Sequence, residues 1–85
     1  HAPNPAVYFE NTIAQHNWQF SHNLNNNQQA EVMVYDALGH LVSRQTVNGK
    51  GKTTISAHHL PPAIYFAVVK TANEPAIRQK LLIVR

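Results

Sequence analysis

Turn-forming residues punctuate this chain at roughly the 8–12-residue spacing that marks an all-β sandwich or barrel. Asn4-Pro5, Asn25 to Gln29, Asp36-Ala37-Leu38-Gly39, Asn48-Gly49-Lys50-Gly51, Leu60-Pro61-Pro62 and Asn73-Glu74-Pro75 leave short runs after residue 29 and a longer stretch before residue 25 that holds two. Each break has a mechanism. Proline lacks a ladder donor, aspartate bonds its own backbone two residues on, and glycine takes positive φ without a Cβ clash. Seven strands are predicted: Ala6–Asn11, Asn17–His22, Glu31–Asp36, His40–Val47, Thr53–Ala57, Ala63–Lys70 and Ala76–Val84.

The pattern inside the runs assigns faces. Trp18, Phe20 and His22 alternate with Asn17, Gln19 and Ser21, so one side is apolar and the other polar. Val7 and Phe9 share a face, as do Val32 and Val34, with Glu31, Met33 and Tyr35 opposite. Asp36 to Gly39 reads as a tight hairpin turn. The turn type at Asn48 to Gly51 stays open, because Lys50-Gly51 lengthens the loop. The last run fits two periods, helical through Ile77, Leu81 and Val84, alternating through Ile77, Gln79, Leu81 and Ile83. Its β-branched content, its shortness and the sheet character of everything before it favour a strand.

Eighty-five residues make a single domain, residues 1–85, with a thin core. Hydrophobic residues reach 44%, enough to fold, and cysteine is absent, which removes disulfides, thiolate metal sites and thiol nucleophiles. No run approaches the roughly 18 apolar residues of a membrane span. The chain begins with His1 rather than Met, and is read as a piece of a larger parent. Its net charge of +3 is unevenly spread: residues 1–43 hold no Lys or Arg, and every basic residue lies from Arg44 onward. In an antiparallel sheet the halves interleave, so this split does not by itself make a nucleic-acid surface.

Two runs depart from the rule of one wet face. Ile64, Phe66 and Val68 alternate with Tyr65, Ala67 and Val69, and Leu81 to Val84 is apolar on both sides. One reading covers the outer face with long neighbouring side chains or a preceding domain. The other makes these strands a recognition surface, read through edge groups and alternate side chains, with Lys80 and Arg85 as gatekeepers against indiscriminate pairing.

Four segments in order, Asn4-Pro5, VYDALGHLV (Val34–Val42), LPPAIYFAVV (Leu60–Val69) and KLLIVR (Lys80–Arg85), give the chain its resemblance to the C-terminal sorting domains, of type A, of type IX secretion cargo in Bacteroidetes. The resemblance spans essentially all residues. It implies an all-β, Ig-like antiparallel sandwich of about seven strands that acts as an address. The parent would cross the periplasm and outer membrane to the cell surface or beyond. The implied partners are an outer-membrane shuttle β-barrel and the translocon, with a sortase-like peptidase as a possible third. The family's turn motif falls on Tyr35, Asp36 and Gly39, with Asn4 and Pro5 as the opening motif. The implied partner-binding positions are Tyr65 and Lys80, Leu81, Leu82, Ile83, Val84 and Arg85. Ala63 stands where the family usually has glycine, and His40 where it often has arginine.

Chemistry of other kinds finds no support in the pattern. The four acids are isolated, and no nucleophile elbow, phosphate-cradling glycine loop or metalloprotease helix is present. No enzyme activity, cofactor or metal is expected. His58 and His59 are adjacent and point apart in a strand, while His16 and His22 sit six residues apart, so the six histidines read as loop and surface residues. Neither nucleic acid nor a membrane span is expected, and the isolated domain is read as a monomer or weak dimer. Two alternatives remain: an Ig-like accessory module, structural or carbohydrate-binding through Trp18, and a docking domain retained by a secretion-machinery subunit.

Overall fold

A computed structural model describes residues 6–25, 27–72 and 74–85. Asn4 and Pro5, and with them the opening motif, lie outside the described residues, as do Asn26 and Asn73. The described chain is all β, eight strands in two sheets, arranged as an Ig-like sandwich. The strands are β1 (Val7–Phe9), β2 (Ile13–Ala14), β3 (Asn17–Asn23), β4 (Gln29–Asp36), β5 (Leu41–Asn48), β6 (Lys50–Ser56), β7 (Ile64–Thr71) and β8 (Ile77–Ile83). A three-stranded sheet runs β1-β3-β6 and a five-stranded sheet runs β2-β8-β7-β4-β5.

Seven of the eight correspond to the predicted runs, with ends shifted by a few residues. The eighth, β2, is new. It pairs with β8 in parallel, Ile13 opposite Leu82 and Ala14 opposite Ile83, whereas every other pairing is antiparallel. The Asn48 to Gly51 segment is likewise different from a hairpin loop. Gly49, at φ 60°, alone separates β5 from β6, and the chain steps there from one sheet to the other. A glycine is needed because that left-handed conformation strains any residue with a Cβ.

The alternation of the sequence builds the core. Trp18 and Phe20 from β3, Ile55 from β6, Val32 and Val34 from β4, Tyr65, Ala67 and Val69 from β7, and Leu81 and Ile83 from β8 meet between the sheets, all fully buried. Aromatic rings meet edge to face, Trp18 with Tyr65 at 6.0 Å and Phe9 with Phe20 at 5.0 Å, a geometry set by the ring quadrupoles. Trp18 is therefore a core residue and offers no sugar platform. Its Nε1 has no hydrogen-bond acceptor among the described residues.

Among the described residues His22 is the one buried polar side chain, a core position and not the surface site expected for the histidines. Its Nδ1 lies 3.0 Å from the carbonyl of Gly49 and its Nε2 3.0 Å from Thr53 Oγ1. A carbonyl only accepts, so Nδ1 carries the proton, and in the neutral ring Nε2 accepts from the threonine hydroxyl. The imidazole thus ties the sheet-crossing glycine to β6.

Candidate functional site

The residues singled out by the sequence fall into two places. The first is the β4–β5 turn. Asp36 Oδ1 accepts from the backbone N–H of Leu38 at 3.0 Å and of His40 at 2.9 Å, while the Asp36 carbonyl accepts from Gly39 N at 3.0 Å. Gly39 sits at φ 89°, where a Cβ would strain the backbone even though the space around it is open. The His40 N–H is the chief influence holding the Asp36 carboxyl below its ordinary range; partial burial opposes it, and the Leu38 N–H and the His40 ring assist. Just beyond the turn the ladder slips between Val34 and Tyr35, leaving Val42 as the extra residue of a bulge. Tyr35 projects from the other side of β4, and its hydroxyl lies 3.5 Å from Met33 Sδ.

The second place is the pair β7–β8. Tyr65, the second residue of β7, points inward, and its hydroxyl donates to the Pro61 carbonyl at 2.6 Å. This is the tyrosine-corner arrangement of Ig-like sandwiches: it fixes the proline-rich connection against the strand it precedes. Burial raises the Tyr65 phenol above its ordinary pKa, the Asp36 charge adds to the rise and Arg85 opposes it. Leu81 and Ile83 are inward too. The side chains of these three residues are packed between the sheets, where they position the strands. Lys80 and Val84 are exposed and Leu82 is half-buried.

Arg85 is a clamp. Its Nε donates to the carbonyl of Gln15 at 3.0 Å, Nη1 to that of Leu60 at 2.6 Å and Nη2 to that of Ala57 at 2.7 Å. One planar guanidinium thereby joins the β2–β3 turn to the β6–β7 connection, using the fixed fork that lysine lacks. Sequence reading placed Arg85 at a contact surface, and nothing local signals that three distant carbonyls converge on it.

The outer face of the five-stranded sheet is apolar along β7 and β8. Ile64 is 40% exposed and Phe66 45%, with Val68 and Leu82 half-buried beside them. Cross-strand register sets Ile13, Leu82 and Ile64 in one row, and Lys80, Phe66, Tyr35 and Leu41 in the next. Arg78 and Lys80 border this surface and take part in none of the ion pairs found among the described residues, which join Asp36 to His40, Glu31 to Arg44 and Glu10 to Lys52. The exposed apolar residues on that face and on its neighbouring edges include Ile13, Leu41, Ile64 and Phe66. Contiguous apolar surface of this kind marks interaction sites on soluble domains.

Asn11 was not anticipated as an organising residue. Its Nδ2 donates to the carbonyls of Ile13 and Asn17, and its Oδ1 accepts from Gln19 N at 2.8 Å, which turns the chain from β1 into β2. An asparagine before a short polar turn is the signal that was present for it.

Among the described residues no three His, Asp or Glu side chains gather as metal ligands. His16 and His58 stack at 4.8 Å with rings 12° from parallel, an arrangement in which the in-plane lone pairs do not converge on one ion. Among the described residues no helix is long and apolar enough to cross a membrane.

A family model described as a secretion system C-terminal sorting domain matches residues 3–84. No curated protein and no solved structure matches the chain.

Proposed function

The chain belongs to the type IX secretion C-terminal sorting domain family, and from that membership we propose that its outer β7–β8 face is docked by the outer-membrane shuttle β-barrel and the translocon during export. The family's role is that of a sorting signal, engaging the type IX machinery and sending its parent to the cell surface or the extracellular space; it is not an enzyme family. The finer reading is periplasmic transit followed by capture at this face, with a sortase-like peptidase acting afterwards on cargo whose signal is removed.

One observation supports the reading above the rest. Strands β7 and β8 commit Tyr65, Ala67, Val69, Leu81 and Ile83 to the core and still present Ile64, Phe66 and Leu82 outward, next to Lys80. Burying such a patch against a receptor at about 25 cal/mol per Å² supplies the driving force, and the cations at its border supply orientation. Tyr65, Leu81, Ile83 and Arg85 contribute by holding the strands in register, so the direct contacts fall to Ile64 and Phe66 together with Lys80, Leu82 and Val84.

The test is a secreted reporter fused ahead of the chain in a bacterium with a working type IX system. Phe66→Ser combined with Leu82→Ser leaves the thermal midpoint nearly unchanged and traps the reporter in the periplasm. Surface delivery of that variant at the normal level refutes docking by this face, and delivery of a reporter without the domain refutes the sorting role. Deleting Lys80 to Arg85 is a poorer test, since it removes Leu81 and Ile83 from the core.

A further inference from the structure

The edge of β8 is only partly covered. Leu82 N donates to the Thr12 carbonyl at 2.8 Å and Val84 N to the Ala14 carbonyl at 2.9 Å, while Ile83 N turns the other way, to Ala63. Even-numbered residues of β8 therefore direct their backbone groups away from β7. Strand β2 reaches only Leu82 and Ile83. Beside Arg78 and Lys80 the sheet has no further strand among the described residues. A gap of about 320 Å³ lies there, lined by Thr12, Ile13, Gln79, Lys80, Leu81 and Leu82.

The same edge opens onto an apolar cleft between the sheets. Val7, Phe9 and Phe20 from one sheet and Val69, Ile77 and Gln79 from the other line about 190 Å³ of space, mostly apolar. This volume accommodates a leucine or phenylalanine side chain. Gln79 Nε2 meanwhile donates to the Lys80 carbonyl at 2.9 Å, so the protein's own side chain occupies one of the free edge acceptors.

We propose that the free stretch of β8, Ile77 to Leu81, accepts an added strand from a protein partner whose residues alternate apolar and acidic. The alternation follows from the pleat. Partner residues across from Ile77 and Gln79 point into the cleft and need apolar side chains; those across from Arg78 and Lys80 lie on the outer face and need carboxylates. A second copy of this chain is the wrong occupant. Antiparallel pairing of β8 with itself sets Arg78 against Lys80 of the other copy, and like charges directly opposite destabilise a ladder. As a route for the export machinery the site rests on the sorting role proposed above, but the edge can be tested without an exporter.

The probe is a short capped peptide alternating leucine and glutamate, titrated into the isotope-labelled chain at low salt and followed by NMR. Amide shifts are expected at Arg78 and Lys80 and around the cleft at Val7, Phe9 and Ile77. Reversing both charges, Arg78→Glu with Lys80→Glu, weakens binding roughly three- to tenfold. Gln79→Ala frees the Lys80 carbonyl and strengthens it. Methylating the alternate peptide nitrogens that face β8 abolishes it, because those donors form the ladder. Equal binding of the methylated peptide, indifference to charge reversal, or shifts confined to Phe66 and its outer-face neighbours overturns the proposal. Those failures leave the sorting reading intact, whereas a wild-type fusion that never leaves the periplasm overturns the sorting reading itself.

Discussion

The two faces of β7 and β8 are both apolar and have opposite fates. Tyr65, Ala67, Val69, Leu81 and Ile83 lie inward and are sealed, while Ile64, Phe66, Val68 and Leu82 lie outward and meet solvent. Chemically the sets are near equivalents, so hydrophobicity alone does not decide which residues make the fold. What separates them is the opposing sheet: Trp18, Phe20 and Ile55 stand over one face and nothing in the described chain stands over the other. The inner set is held by packing, and the outer set is available for work.

Truncating the inner face gives the largest expected loss. Leu81→Ala removes a fully buried side chain between the sheets and lowers unfolding free energy by about 2–5 kcal/mol, seen as a lower denaturant midpoint at constant slope. An unchanged midpoint there would erase the distinction between the faces. Arg85→Ala comes next, at about 1–3 kcal/mol, because three carbonyls lose a charged donor. Arg85→Lys restores the charge without the fork and recovers only part of the loss, which separates geometry from electrostatics.

A smaller effect is expected at the Asp36 turn, and it depends on pH. The carboxyl titrates lower in the folded chain than its ordinary value of 3.8, so its contribution is complete above that value and disappears as pH falls through the folded one. Asp36→Asn removes that slope, so thermal midpoints of the two proteins converge in acid and separate towards neutrality. The least effect on stability belongs to the outer face. Phe66→Ser shifts unfolding by about 0.5 kcal/mol or less, yet it is expected to impair surface delivery of a fused reporter.

Much of the sandwich is legible in the sequence because turn chemistry and period-two alternation are local signals. The Asp36 to Gly39 turn and the inward Val32 and Val34 needed no knowledge of the rest of the chain. Strand β2 is different. Two residues cannot display a period, Ile13 is 61% exposed, and the pairing that defines the strand comes from the far end of the sequence. For β7 the alternation supplied two sets without saying which faced in, although a clue was present. Lys70 has the parity of Ile64, Phe66 and Val68, and Lys80 that of Leu82, so the charged ends already marked the outer face. Arg85 was legible as a strand-closing cation and not as a clamp, since Gln15, Ala57 and Leu60 give no sign that their carbonyls converge.

The Arg85 fork reaches across 70 residues to Gln15, and the short parallel ladder at β2 spans nearly as far. Closing so long a loop carries a large entropic cost before any contact repays it, so this seam is expected to zip late in a slow, millisecond-to-second folding reaction. Until it does, the whole margin of β8 is bare. A chaperone that shields this margin in nascent chains would protect the domain at its most aggregation-prone moment.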